Sequence, residues 1–289
     1  MFDIGILRLE ILRLRDESLD YLRGIGVLLI HFVDVFQLLW NRNSGIDVFN
    51  LELYGGFTLA GVAPLIFSFS TGLALHHWKD KHDFKYLLKR ISLLLVSGLI
   101  LSYVIDHDIL AFGIFELIAV SNLILYYFNS VTISISGILL ILLMKVICPM
   151  NFPLPIIMNR IFFTGIFPLV PFLAYAWYGC LYGKMKDYRI SLLSLVFGIL
   201  LFPTPLQDVS IILLNCGLAS ILYEVMKKVT VPYLNLYGVY SWRMTFWRYF
   251  LSYLPLIWLG LARRLDNPIS IILSVLISAC QGLLLLIKV

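Results

Sequence analysis

The chain has 289 residues, of which 61% are hydrophobic and only 13% are charged, and its formal net charge is +5. A soluble domain carries roughly 25% charged residues, so this composition excludes a water-soluble fold with an ordinary polar surface. The small positive charge forms no basic patch of the kind that binds nucleic acid. The lipid bilayer is the solvent that fits.

The N-terminal segment 1–17 alternates charged residues with Ile and Leu at helical spacing, which predicts an amphipathic helix lying at the cytoplasmic interface. The remainder, 18–289, repeats stretches of about 20 mostly apolar residues, the length that a spanning helix needs. We therefore predict an all-α fold in which one polytopic transmembrane bundle domain follows the interfacial helix. About ten spans are predicted, at 19–41, 54–77, 88–106, 109–128, 131–148, 161–183, 189–206, 209–226, 240–261 and 268–287.

Lys and Arg concentrate in the loops that are cytoplasmic if the N-terminus is inside. This distribution predicts a multi-pass protein of the plasma membrane with both termini cytoplasmic, although the pair Arg263-Arg264 falls on the outer side. The four cysteines lie far apart without the spacing of metal ligands. We predict no metal site.

The first predicted span carries the densest set of ionisable residues. Asp20, Arg23, His31 and Asp34 recur at intervals that place them on one stripe of a helix. Because lipid disfavours such groups, this stripe is expected to face the bundle interior, where ionisable residues are functional candidates. At ~1.5 Å per residue, His31 lies roughly 18 Å into the span, and Asp34, one turn further on, can orient its imidazole.

Other spans add single polar candidates. Ser68 follows Pro64 in the second span, where small polar residues permit close packing or line a cavity. Glu116 is a carboxylate in the apolar fourth span, and Arg248 lies deep enough in the ninth to need a buried carboxylate or an anionic ligand. The residues of the first span also have structural alternatives. In these, the His31 imidazole only forms hydrogen bonds to neighbouring helices, and Asp20 and Arg23 form a structural ion pair.

Five stretches together resemble the catalytic domain of heparan-α-glucosaminide N-acetyltransferase and its prokaryotic relatives, within the transmembrane acyltransferase superfamily. They occur in the family's order over most of the chain, and the first and third are the most specific. The stretches are Leu19-Asp20-Tyr21-Leu22-Arg23-Gly24 with Ile30-His31-Phe32-Val33-Asp34, Ala63 through Gly72, Phe112 through Ser121, Phe167 through Gly183, and more faintly Leu236 through Ser241.

The resemblance implies a membrane acyltransferase. In such a protein an acetyl or other acyl group passes from acetyl-CoA or another acyl-CoA on the cytoplasmic side to an extracytoplasmic acceptor, a sugar or a lipid-linked sugar. His31 is then the general base or a transient acyl carrier, and Asp34 orients it. Asp20 and Arg23 hold the coenzyme A end, while Ser68, Glu116 and Arg248 contribute to the substrate cavity. A homodimer is left open.

The chain also departs from the family pattern. Glu116 stands where relatives usually have Gln or His, Thr164 where many have an acid, and Arg248 near where the closing element usually places a His. Two other functions therefore stay open. One is a proton-coupled transporter or flippase that uses Asp34, His31 and Glu116 as a relay, and the other is a catalytically inactive relative.

Overall fold

The computed structural model describes residues 16–39, 59–78, 83–106, 113–147, 158, 161–162, 168–231, 233–248, 250–251, 254–259 and 267–287. Within these residues all regular secondary structure is helical, which confirms the predicted fold class. The helices are α1 (Glu17–Leu39), α2 (Leu59–Trp78), α3 (Phe84–Asp106), α4 (Ile114–Tyr127), α5 (Val131–Ile147), α6 (Leu169–Met185), α7 (Tyr188–Leu201), α8 (Gln207–Met226), α9 (Leu234–Val239), α10 (Ser241–Arg248), α11 (Leu254–Trp258) and α12 (Asn267–Ile287).

Two of these helices, over Phe84–Val104 and Gln207–Met226, are long and apolar enough to cross a membrane. The predicted count of about ten spans is not confirmed and stays a prediction. Many large apolar side chains on α3, α5 and α7 are exposed, and exposed apolar surface of this kind calls for lipid or another protein as its neighbour. They include Leu93, Leu99, Ile100, Leu139, Leu140, Leu143, Leu192, Leu193, Phe197 and Leu200.

The region of the ninth predicted span, 240–261, contains shorter helices than expected. A six-residue helix, α9, precedes it and begins after Tyr233, whose φ of 67° lies in the left-handed region. The eight-residue α10 follows, and α11 has five residues. The predicted amphipathic helix over 1–17 lies almost wholly outside the described residues, and the division into that helix and one bundle domain stays a prediction.

Helices α2 and α6 cross in direct backbone contact. A Cβ atom built on Gly72 would lie 1.8 Å from the carbonyl oxygen of Ala176, and one on Gly179 would lie 2.1 Å from that of Phe69. The two backbones therefore touch, which only glycine at both positions permits. Both glycines belong to stretches that carried the family resemblance.

Helix α1 is surrounded by partners from both ends of the chain, since it contacts α2, α8, α9, α10 and α12. A Cβ atom on Gly24 would meet the Leu234 carbonyl oxygen at 2.3 Å, so α9 lies directly on the α1 backbone. At the start of α1, Asp16 accepts from the backbone N–H of Ser18 at 3.0 Å and also from the Tyr223 hydroxyl of α8. These contacts hold the N-terminal end of α1 in the bundle.

Candidate active site

The polar stripe of α1 is buried, as its sequence predicts. Asp20 is 2% exposed and His31 is 5% exposed, while Arg23 and Asp34 are half-buried. Arg23 pairs with Asp20, with Nη1 at 3.4 Å from Oδ1. One helix therefore carries an ion pair near its first turns and an imidazole further along, all inside the protein.

A cavity opens beside the N-terminal half of α1. It encloses roughly 740 Å³ of space with its open mouth included. Five elements contribute to its wall: α1, α2, α3, α4 and α10. The lining residues are Arg23, Phe67, Ser70, Thr71, Arg90, Leu93, Leu94, Ile114, Phe115, Ile118, Ser241, Trp242 and Thr245.

The wall of the cavity is mostly apolar, but it holds two guanidinium groups. Arg23 comes from α1 and Arg90 from α3, so cations approach the cavity from two different helices. Arginine binds carboxylate and phosphate groups through paired N–H donors. The cavity is therefore suited to a molecule with an anionic end and a less polar remainder.

His31 lies on the same helix face as Arg23, eight positions further along α1. At ~1.5 Å per residue this separation is about 12 Å along the helix axis. Arg23 lines the cavity, whereas His31 and Asp34 are not among its lining residues. The distance is one that an extended arm of a bound molecule can span.

Ser68 and Glu116 lie near the cavity without lining it. The Ser68 hydroxyl is buried on α2 and makes no hydrogen bond to any residue that the structure describes. Glu116 is 5% exposed and accepts from Ser102 Oγ at 3.1 Å, and a Cβ atom on Gly98 would lie 2.4 Å from its carboxyl carbon. The known contacts of Glu116 thus belong to the α3–α4 interface, and its role toward a substrate stays a prediction.

Arg248 is the last residue of α10, and its side chain lies outside the described part of the chain. Several cavity residues were not predicted from sequence, chiefly Arg90, Trp242 and Thr245. The sequence carries one indication for Arg90, because it is a cation that falls within the predicted third span, 88–106. Trp242 and Thr245 gave no such signal, because only the packing of α10 brings them to the cavity.

The faint closing stretch, Leu236 through Ser241, proves to be adjacent to the first one. A Cβ atom on Gly238 would lie 1.8 Å from the Asp20 carbonyl oxygen, so α9 crosses α1 at the ion pair. Ser241 then enters the cavity wall three residues later. Two segments more than 200 positions apart in the sequence thus form one side of the site.

The described part of the chain is all-helical, and two of its helices are long and apolar enough to cross a membrane. With an arginine-containing cavity beside the helix that carries a buried histidine, it falls in the class of helical proteins with a candidate small-molecule site. Residues 15–198, more than half of the chain, match the family model described as heparan-alpha-glucosaminide N-acetyltransferase, catalytic. The chain belongs to this family, as its motifs indicated, and the family points to an acetyltransferase-type enzyme. Among curated proteins, none matches this sequence significantly.

Proposed function

We propose that this protein is an integral membrane acyltransferase that moves an acetyl or other acyl group from acyl-CoA to an extracytoplasmic acceptor, a sugar or a lipid-linked sugar. The observation that supports this most is the cavity beside α1, because it contains Arg23 and Arg90 and lies on the helix that carries His31. We further propose a multi-pass arrangement in the plasma membrane with both termini cytoplasmic, from the distribution of Lys and Arg.

In this proposal the two arginines hold the phosphates of coenzyme A, and Asp20 keeps the Arg23 guanidinium in place. The acyl thioester then extends along the α1 face toward His31, with Asp34 orienting the imidazole. Ser68, Glu116 and Arg248 contribute to the acceptor side. Exposed apolar faces on α3, α5 and α7 contact lipid.

His31 has two chemically distinct roles available. As a general base it takes the proton of the acceptor hydroxyl or amine while that atom attacks the thioester carbonyl, the C–S bond breaks, and the thiol leaves with the proton. As a carrier its ring nitrogen attacks the thioester carbonyl, the C–S bond breaks, and coenzyme A leaves as the thiol with the proton of the ring. The acceptor then attacks the acyl-imidazole, the C–N bond breaks, and the ring takes the proton of the acceptor. Only the second role produces an acylated protein.

The test is release of free thiol from acetyl-CoA by the purified protein in lipid nanodiscs, with and without an amino sugar. We expect His31→Ala to lower turnover by about a hundredfold or more. Asn215→Ala, a change at another buried polar residue remote from the cavity, serves as the matched control. Undiminished turnover in His31→Ala would remove the mechanism, and labelled acetyl trapped on the protein would identify the carrier role.

A further inference from the structure

Two hydroxyl groups in the cavity wall have a fixed hydrogen-bonding direction. Ser70 Oγ donates to the Phe67 carbonyl oxygen at 3.0 Å, and Thr71 Oγ1 donates to the same oxygen at 2.7 Å. A carbonyl can only accept, so the single hydrogen of each hydroxyl is committed to the α2 backbone. Ser70 and Thr71 both line the cavity, and a hydroxyl whose hydrogen is committed in this way has only lone pairs left for a ligand.

The neighbouring cation has the opposite character. Gly26 of α1 lies against Ile66 and Phe67 of α2, with side-chain atoms at 3.1–3.4 Å from its ideal Cβ position. Arg23, three residues before Gly26 on α1, lines the same cavity as Ser70 and Thr71. Arginine has five N–H donors and no acceptor, so Arg23 can bond to Asp20 and to a ligand together.

The cavity wall thus contains hydrogen-bond donors on the two arginines and hydrogen-bond acceptors on Ser70 and Thr71. A deprotonated phosphate satisfies the arginines but offers no hydrogen to Ser70 or Thr71. An amide satisfies both sides, because its C=O and N–H point in opposite directions in one plane. The arrangement therefore separates a phosphate position near the guanidinium groups from an amide position against α2.

We propose that Ser70 and Thr71 are specificity-determining residues that accept the N–H of a ligand amide whose C=O faces an arginine. Resting on the proposed function, the amide is one in the pantetheine arm of acyl-CoA. The two hydroxyls then set the depth at which the arm lies along α1, and with it the distance of the thioester from His31.

The experiment compares two probes on the intact protein in nanodiscs by calorimetry. Coenzyme A carries the amides, whereas adenosine 3′,5′-bisphosphate carries phosphates and the nucleoside without any amide. In Ser70→Ala/Thr71→Val we expect the affinity for coenzyme A to fall about tenfold, since the ligand N–H loses both of its acceptors. The affinity for the bisphosphate should not change.

Ser97→Ala is the matched control. Ser97 is buried on α3 and makes the same kind of bond, from Oγ to the Leu93 carbonyl oxygen at 2.8 Å, but it does not line the cavity. We expect it to bind both probes like the parent protein. Thermal unfolding of each variant checks that the fold is kept.

The outcomes separate the two proposals. A parent protein that does not bind coenzyme A contradicts the proposed function. If the parent binds coenzyme A and the double variant binds it equally well, the amide site alone is wrong. An equal loss for both probes also overturns it, because the hydroxyls then serve the phosphate end or the fold.

Discussion

The two faces of α2 differ in how closely their neighbours approach. On one face Gly72 lets the α6 backbone come into direct contact, and no space remains between the helices. On the other face Phe67, Ser70 and Thr71 border a cavity that four other elements complete. Helix α2 is therefore packed tightly against α6 on one face and borders the cavity on the other, which is the arrangement that a site on a rigid scaffold requires.

The largest expected effect comes from separating α2 and α6. Gly72→Val adds a Cβ atom where the Ala176 oxygen lies within 1.8 Å, so the two backbones must move apart. We expect a loss of about 3 kcal/mol or more in the free energy of unfolding. Denaturant titration in detergent measures it.

Thr71→Val, on the open face of the same helix, is the control. It removes the hydrogen bond to the Phe67 carbonyl oxygen without adding a clash, and should cost about 0.5–1.5 kcal/mol of stability. If both variants were equally stable, the contrast between the two faces of α2 would not hold.

A second expected effect concerns the α3–α4 contact behind the cavity wall. Gly98→Ala brings a methyl group to 2.4 Å from the Glu116 carboxyl carbon and displaces a buried carboxyl from Ser102. We expect a cost of about 2 kcal/mol in stability. The double variant Gly98→Ala/Glu116→Ala should recover part of it, and strict additivity in this cycle would argue against the contact.

Filling the open face should affect binding rather than stability. Ile118→Trp puts a larger side chain into the cavity, and we expect the affinity for coenzyme A to fall at least about tenfold, or ~1.4 kcal/mol. Leu139→Trp, on an exposed position of α5, should leave affinity unchanged. Calorimetry gives both values, and an unaltered Ile118→Trp would show that the ligand binds elsewhere.

The smallest expected effect on stability comes from the contact between α6 and α8. Tyr175 is 5% exposed, and its hydroxyl accepts from Asn215 Nδ2 of α8 at 3.1 Å. Tyr175→Phe leaves that buried amide without its acceptor, so we expect a loss of about 1 kcal/mol. The melting temperature of Tyr175→Phe should fall, whereas Tyr188→Phe, at an exposed position, should melt like the parent.

Local pattern was enough to predict α1 and the burial of its polar stripe. Apolar length and spacing decide where a helix forms and which side it hides, and both are properties of a continuous segment. The glycines of the family motifs were also visible in the sequence. What they contact, Ala176 and Phe69 in one case and Leu234 and Asp20 in the other, was not.

The cavity could not be predicted because it depends on which helices become neighbours. Arg23 and Arg90 belong to α1 and α3, and nothing in either segment indicates that they face the same space. The helix α9, which lies just ahead of the ninth predicted span, was not predicted for a different reason. A left-handed backbone at Tyr233 is rare for a bulky residue, and the apolar pattern gives no sign of it.

The clasp between Asp16 and Tyr223 joins residues 207 positions apart. A ribosome adds about 5–20 residues per second, so α1 waits roughly 10–40 s during synthesis before α8 emerges to meet it. Throughout that interval its aspartates, arginine and histidine lack α8, α9, α10 and α12, which contact α1 in the finished protein. We therefore expect nascent chains arrested before α8 to be degraded faster than the finished protein.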